Sequence, residues 1–558
     1  MSSLLPASLS NDPCRKHGWW LLLLCTALLY LPGLGLLPMM DRDEPRFAHA
    51  TVEMMQRDSW AIPYFNGEYR FDKPPLTYWW MRLHYSLFGI NELAARLHSV
   101  IATWLVSLVI MSMGKRLSSA RAGLAGGFAW LLTLQVLVHG RLCVADMPMV
   151  LFVALAMRSL LELLSQRAEG FTRWHGLLYV SLGLGFLAKG PIALLVPALA
   201  LALHRYALWR RPWDGSPLYP ARGALITLAI IASWGIPALL ETKGLFWKVG
   251  MEEHVISRGT TAFNGRFPVP GFYLASALLS LFPWIALAPN YWRGIRNHWS
   301  MTTAFLVSWL AAPYLIFTLY ATQLPHYVMP GFPAAMVLVA IIQPAVNGSS
   351  WHRWWARFVV MLFIGLAFVA VYSGMFGLLP QGLSRVLLHG GILLAALAWL
   401  CSYWVGKTRE SASTSPRWPA LIGLVVLAVS FRLVAGDLRA IHPAAQLVAQ
   451  TGPIPPAAKL LAFDYVEPSL VFHFDHEWKF TSKVETLQKL DLKHDPVITL
   501  MLRREWSVPA LLRQSNPGRD NRKAVDAFVS QHPDRRVITC MGFNAARSTW
   551  VELIALVR

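Results

Sequence analysis

The sequence predicts a polytopic α-helical membrane protein of about thirteen transmembrane helices, followed by a small α/β domain on the outer face of the bilayer. Three observations predict it. Of 558 residues, 55% are hydrophobic and only 14% charged, against roughly 25% charged in soluble domains. Apolar runs of membrane-spanning length recur from residue 18 to residue 436. From about Asp437 to Arg558 the composition turns polar and mixed, with enough residues for one small domain. The two units are therefore 1–436 and 437–558.

The chain is read in order as spans at 18–39, 93–112, 121–139, 147–164, 176–188, 190–204, 223–241, 271–291, 301–320, 329–346, 357–377, 388–406 and 419–436. Arg15-Lys16 precede the first run and no small-residue cleavage site follows it, so it reads as a retained helix rather than a signal peptide. The fifth and sixth spans are short and meet at Lys189-Gly190-Pro191, where a helix should break. With the N-terminus in the cytoplasm, the inner loops then collect Lys115, Arg116 and Arg121; Arg205, Arg210, Arg211 and Arg222; and Lys407, Arg409 and Arg417. This is the positive-inside distribution. Joining the fifth and sixth spans would reverse it for every later loop. The formal net charge of +20 is thus explained by membrane topology and anionic lipid, not by nucleic acid. The five cysteines show no paired spacing, which excludes a disulfide framework or a zinc-thiolate site.

The outer loop 41–90 departs from that rule. Arg42, Arg46, Arg57, Arg70, Lys73 and Arg82 sit where cations should be scarce, interleaved with Asp41, Asp43, Glu44, Asp58, Glu68 and Asp72. A bound anion accounts for cations that topology does not. Within the loop, His49–Gln56 and Leu76–Phe88 read as helices lying in the interface. In the C-terminal unit, Leu460–Phe463, Leu470–Phe474, Val497–Leu502 and Arg536–Thr539 read as strands, and Val508–Gln514 and Asn521–Gln531 as helices.

The groups able to do chemistry gather on the same outer face. Asp43 with Glu44 follows the first span, and Asp146 opens the fourth. Two carboxylates converging there can take a proton or bind a divalent cation. For Asp146 the alternative is a helix N-cap, since Met147-Pro148 follow it. Arg46, Arg70, Lys73, Lys189 and Arg258 are candidate phosphate ligands. Lys189 stands out because it sits between two apolar helices, where an unpaired charge is costly; the alternative is a lysine that reaches up to the headgroups. Glu252, Glu253 and His254 are potential metal ligands but do not fill a coordination shell. Tyr327 is either a phosphate contact or part of an interfacial aromatic belt. No nucleotide-binding loop, zinc-protease motif or serine elbow appears in a suitable context, so an activated donor must arrive attached to a lipid. A transporter reading lacks support, because there is no internal repeat and the charges lie at one face.

DEPRFA (Asp43–Ala48), FDKPPLTYW (Phe71–Trp79), RLCVADMP (Arg141–Pro148), FLAKGP (Phe186–Pro191) and LPHYVMPGFPA (Leu324–Ala334), in that order, resemble the lipid A aminoarabinose transferases. Those enzymes form part of a wider group of polyprenyl-phosphate-sugar transferases that includes protein O-mannosyltransferases. FDYVEPSLVFHF (Phe463–Phe474) extends the resemblance into the C-terminal unit. The resemblance implies the glycosyltransferase C-type fold, with a periplasmic α/β domain, in the bacterial inner membrane. It implies an inverting, monomeric enzyme that takes a sugar, 4-amino-4-deoxy-L-arabinose or a related aminosugar, from undecaprenyl phosphate. The acceptor would be a lipid A phosphate at the periplasmic face, or alternatively a protein hydroxyl. It implies that Asp43 and Asp146 are the catalytic acids, and that Arg46, Lys73, Lys189, Arg258 and Tyr327 hold donor phosphate and acceptor. It also implies that His254 and Asp72 hold a divalent metal, zinc or magnesium. Two positions depart from the aminoarabinose branch: Asp72 stands where that branch has Glu, and Gln323 where it tends to have Lys.

Overall fold

The structure is a computed structural model that describes residues 13–167, 169–211, 215–250, 269–342, 350–376, 381–407, 418–507 and 518–558. It opens with α1 (Pro13–Tyr30). The outer loop then contributes α2 (Asp43–Gln56), the hairpin β1 (Tyr64–Phe65) and β2 (Glu68–Tyr69), and α3 (Leu76–Phe88). Next come α4 (Glu92–Leu117), α5 (Ala120–Leu131), α6 (Leu134–His139), α7 (Asp146–Ser165), α8 (Arg173–Lys189), α9 (Ile192–Ala202) and α10 (Pro220–Glu241). The membrane unit closes with α11 (Phe272–Ser280), α12 (Ala288–Asn297), α13 (Met301–Thr318), α14 (Phe332–Ile341), α15 (Ser350–Met375), α16 (Gln381–Lys407) and α17 (Trp418–Ile441).

Each expected span contains helix. Among the described residues six helices are by themselves long and apolar enough to cross a membrane, or seven if the pair around α11 and α12, bent by 110°, counts as one. The shortfall from thirteen has local causes. The third expected span is cut after Leu131, where α5 gives way to the separate α6. The fifth and sixth are cut at Gly190, whose φ of 86° and following Pro191 end α8 and start α9 as the sequence predicts. The long helices carry clear start signals. The Asn91 side chain accepts the Ala94 N–H to cap α4, and Ser300 with Thr303 forms a capping box on α13.

Two helices of the outer loop behave differently from each other. α3 matches its predicted bounds and leaves Leu83, Leu87 and Phe88 more than half exposed, as an interfacial helix should. α2 starts six residues earlier than predicted and does not lie on the surface. Glu44, Pro45 and the run from Phe47 to Met54 are buried, because α3 covers one side and the C-terminal domain the other.

The C-terminal domain is a six-stranded mixed sheet, with α18 (Pro443–Thr451), β3 (Leu460–Phe463), α19 (Pro468–Phe474), β4 (Trp478–Thr481), α20 (Val484–His494), β5 (Ile498–Ser507), β6 (Arg519–Asp520), α21 (Arg522–Ser530), β7 (Arg536–Asn544) and β8 (Thr549–Val557). The order is β4-β3-β5-β8-β7, with β6 on β5. β3 lies parallel to β4 and β5, and β8 is antiparallel to β5 and β7. Residues of α18 and α19 pack on one face, and those of α20 and α21 on the other. Leu470–Phe474 is therefore helix, not strand. Pro468 at its first turn presets the helical φ, and a short apolar run alone does not distinguish the two states. The predicted helix Val508–Gln514 lies outside the described residues.

Asn66 and Gly67, both at positive φ, make the two-residue turn between β1 and β2. The Asn66 amide bonds the edge strand β4, donating to the Trp478 carbonyl at 3.0 Å and accepting its N–H at 2.7 Å. Glu53 on α2 takes the Asn66 and Gly67 N–H groups at 2.5 and 3.1 Å. The C-terminal domain is thus fastened to the charged outer loop.

Candidate active site

Asp146 is the first residue of α7 and Lys189 the last of α8, so each charge sits at the helix end whose dipole favours it. The Lys189 ammonium donates to Asp146 Oδ1 at 2.5 Å, with the two side chains 14% and 8% exposed. The pair bears on the structural alternative for each residue. Ala145 occupies the N-cap position of α7 and makes no side-chain cap bond, so Asp146 is not a cap. Lys189 is held by a carboxylate rather than extended toward headgroups. His326 Nε2 lies 3.9 Å from the same Asp146 oxygen, and its ring packs 4.6 Å from that of His139. The Tyr327 ring centroid is 5.5 Å from the Lys189 ammonium.

Lys73, Asp72, Lys189 and Tyr327 line one cavity of about 490 Å³. Its walls are otherwise mostly apolar, including Leu195 of α9, Trp234 and Ile236 of α10, Phe317 of α13 and Tyr320 just after it. The charged side chains in this otherwise hydrocarbon-lined space are Asp72, Lys73 and Lys189.

A second cluster adjoins it. Arg70 is buried, with Nη1 3.0 Å from Asp72 Oδ2 and Nε donating to the Tyr78 hydroxyl at 3.0 Å. Burial works against its charge, but Tyr78 and Asp72 more than offset this and raise its pKa. Arg46 is half-buried on α2, and burial and the nearby Arg70 lower its pKa, against Asp72 and Asp43. An anion placed between these guanidiniums would relieve their repulsion. Asp43, the first residue of α2, is exposed and interacts electrostatically with both arginines. Asp72 joins the two clusters, pairing with Arg70 while lining the cavity with Lys73.

The structure therefore brings Lys189, Lys73, Asp72 and Tyr327 around one cavity, with Asp146 paired to Lys189 and with Asp43, Arg46 and Arg70 beside it. Arg258 and His254 lie outside the described residues. No group of three or more metal-binding side chains converges among the described residues, and Asp72 already has a cationic partner in Arg70. Gln323 accepts the Val269 N–H at 2.8 Å.

Sequence reasoning missed the group that brings the loops together. Arg96 on α4 donates to both Glu44 oxygens, each at 2.8 Å, and to the carbonyls of Leu34, Leu37 and Pro38. Glu44 also accepts the Cys143 N–H at 2.6 Å. Glu44 is thus a structural tie between the start of α2 and the turn that leads to Asp146. The available signal was a lone arginine inside an apolar span.

A family model described as dolichyl-phosphate-mannose-protein mannosyltransferase matches residues 72–236. An undecaprenyl phosphate-alpha-4-amino-4-deoxy-L-arabinose arabinosyl transferase from Edwardsiella ictaluri is 28% identical over 358 residues, 63% of this chain and 64% of that protein. One from Pseudomonas paraeruginosa is 33% identical over 331 residues, 57% of this chain and 58% of that protein. The matched region is thus under two thirds of the length of either relative. The crystal structure of ArnT from Cupriavidus metallidurans bound to undecaprenyl phosphate superposes with a TM-score of 0.71 at 18% identity, covering 97% of this chain and 98% of that one. The C-type glycosyltransferase fold predicted from the sequence is the one found. In sequence the chain is similar to undecaprenyl phosphate-aminoarabinose arabinosyl transferases over somewhat more than half its length, and its fold is that of ArnT over nearly its whole length.

Proposed function

We propose that the protein is an inverting glycosyltransferase of the inner membrane that moves an aminosugar, 4-amino-4-deoxy-L-arabinose or a close analogue, from undecaprenyl phosphate to a lipid A phosphate at the periplasmic face. The observation that carries this reading is the cavity: hydrocarbon walls suit a prenyl chain, and Lys73 and Lys189 lie where its phosphate would sit. The names of the relatives support the donor, and the positive-inside loops support the orientation.

In this reaction the bond between the sugar C1 and the donor phosphate oxygen breaks, and its electron pair leaves on undecaprenyl phosphate. An acceptor oxygen bonds C1 from the opposite side. Lys73 and Lys189 stabilise the charge that grows on the leaving phosphate, and the Asp146 carboxylate fixes the Lys189 ammonium in place. An acceptor phosphate is already an anion and needs no proton removed. Asp43 then orients Arg46 and Arg70 and faces the positive charge developing on the sugar. With a hydroxyl acceptor, Asp43 would have to take the proton. The roles separate experimentally. Asp43→Asn keeps turnover to lipid A within about tenfold of native, whereas loss of a general base costs about a hundredfold or more.

Gly235 lines the cavity, and a Cβ added there meets nothing within 4 Å. Gly235→Phe therefore projects into the donor space without a backbone clash. It raises the KM for the prenyl donor about tenfold and leaves kcat nearly native. A divalent ion held by Asp72 and His254, zinc or magnesium, belongs to the proposal as further positive charge near the phosphate. On that reading EDTA lowers transfer and one of the two ions restores it.

The second reading is protein O-glycosylation, favoured by the match of residues 72–236 to the mannosyltransferase model. Purified protein incubated with undecaprenyl-phosphate aminoarabinose, lipid A and periplasmic extract decides between them. Mass spectrometry finds the sugar on lipid A under the first reading and on serine or threonine under the second. No transfer to either contradicts both.

A further inference from the structure

We propose that Asp41 and Ser469 are positioning residues, through which the C-terminal domain sets the first outer loop, and with it Asp43 and Arg46, against the candidate active site. The inference rests on the functional reading above for its link to catalysis; the contact itself is independent of it.

Asp41 lies two residues before Asp43, leaving almost no chain to absorb a shift. Its side chain is 6% exposed. One residue of α19 takes both of its oxygens: the Ser469 N–H donates to Oδ1 at 2.8 Å and the Ser469 hydroxyl to Oδ2 at 2.7 Å. α2 lies against α19, and Phe472 packs on the apolar cluster that includes Phe47 and Ala48. A second fastening follows at the far end of α2, where Glu53 holds the β1–β2 turn and Asn66 bonds β4. The helix bearing Asp43 and Arg46 is thus fixed by the soluble domain at both ends. The segment after the hairpin carries Arg70, Asp72 and Lys73.

The Asp41–Ser469 contact carries a pH readout that an ordinary structural contact lacks. Glu467, fully buried at the N-cap position of α19 and paired with Arg547, faces Asp41 from the same helix start as Ser469. His442 Nε2 is 4.0 Å away, and the His473 ring is 5.5 Å from that of His442. Arg46 faces it from α2, Tyr465 from the segment after β3, and Arg439 lies beyond the two histidines. Burial, with Glu467, pushes Asp41 up to about 7, against the Ser469 hydrogen bonds and Arg46. Burial holds His442 and His473 down at about 3, so neither supplies a compensating charge near neutrality. An acid whose pKa is raised in the docked state favours docking when protonated. Docking is therefore strongest below the ordinary carboxylate range and weakens as pH rises through about 7. Asp41→Asn mimics the protonated acid, since its carbonyl accepts the Ser469 N–H and its amide donates to the hydroxyl.

The test uses the full chain in lipid nanodiscs. Ser469→Ala lowers kcat about ten- to a hundredfold with donor KM near native, the signature of misplaced catalytic groups, and Ser469→Thr restores it. Native kcat declines as pH rises from 6 to 8.5, and Asp41→Asn flattens that decline. Tryptic cleavage after the exposed Arg42 is faster in native protein than in Asp41→Asn at pH 8, and the difference narrows as pH falls to 6. Native-like kcat in Ser469→Ala, or an unchanged pH profile in Asp41→Asn, overturns the proposal. If native protein transfers no sugar at all, the functional reading fails, while the cleavage comparison still decides whether Asp41 docks the domain.

Discussion

Lys189→Ala loses about a hundred- to a thousandfold in transfer rate, the cost of removing one preorganised charge from a water-poor site. The loss falls on kcat more than on donor KM, because the ammonium meets more negative charge as the leaving phosphate forms than in the bound donor. Removing the lysine also leaves Asp146 buried without its partner. Failure to fold must therefore be separated from failure to react. The double variant Lys189→Met/Asp146→Asn removes both charges and recovers the yield of folded protein, but not turnover. Single-turnover measurements with labelled donor in nanodiscs check both statements. Native-rate transfer in Lys189→Ala would remove Lys189 from the chemistry.

Arg96→Met has the largest expected effect on stability. Arg96 is fully buried and makes five hydrogen bonds, two to Glu44 and three to backbone carbonyls. Its removal strands the Glu44 carboxylate and those three carbonyls at once. Breaking a buried ion pair from one side costs about 3–5 kcal/mol. Much of that cost is the uncompensated charge, so Glu44→Gln added to Arg96→Met recovers part of it. Thermal unfolding in detergent, followed by tryptophan fluorescence, measures both. An Arg96→Met melting curve that overlays the native one would mean the pair ties nothing together.

These two pairs show how the fold and the site were legible, and where they were not. The break at Gly190-Pro191 could be read directly, because glycine and proline act on their own backbone, and the topology of the inner loops followed from it. The ends of α3 and the strand Leu460–Phe463 were equally local. Asp146 and Lys189 could each be singled out as a charge at the end of an apolar run, but nothing in their spacing says that they touch. The contact exists because α7 and α8 pack as antiparallel neighbours, a tertiary fact. Glu44 stood next to Asp43 and shared its apparent role. Only the Arg96 partner, 52 positions away, marks Glu44 as a structural acid and sets it apart from its neighbour. The burial of α2 was hidden for the same reason, since the domain that covers it lies some four hundred residues downstream. In the C-terminal domain β8 is buried on both faces, because helices cover both sides of the sheet, and its mostly apolar run lacks the alternation that marks a strand.

A prenyl-linked phosphate held in the cavity by Lys73 and Lys189 makes donor binding depend on both the cavity's space and its charge. Competition binding of undecaprenyl phosphate to the purified chain in nanodiscs tests it most directly, comparing native protein, Gly235→Phe and the Lys73→Met/Lys189→Met double variant. Native protein binds saturably, and binding weakens about tenfold or more in each variant, by lost space in one and lost charge in the other. Undecaprenyl phosphate that binds all three proteins equally well would contradict it.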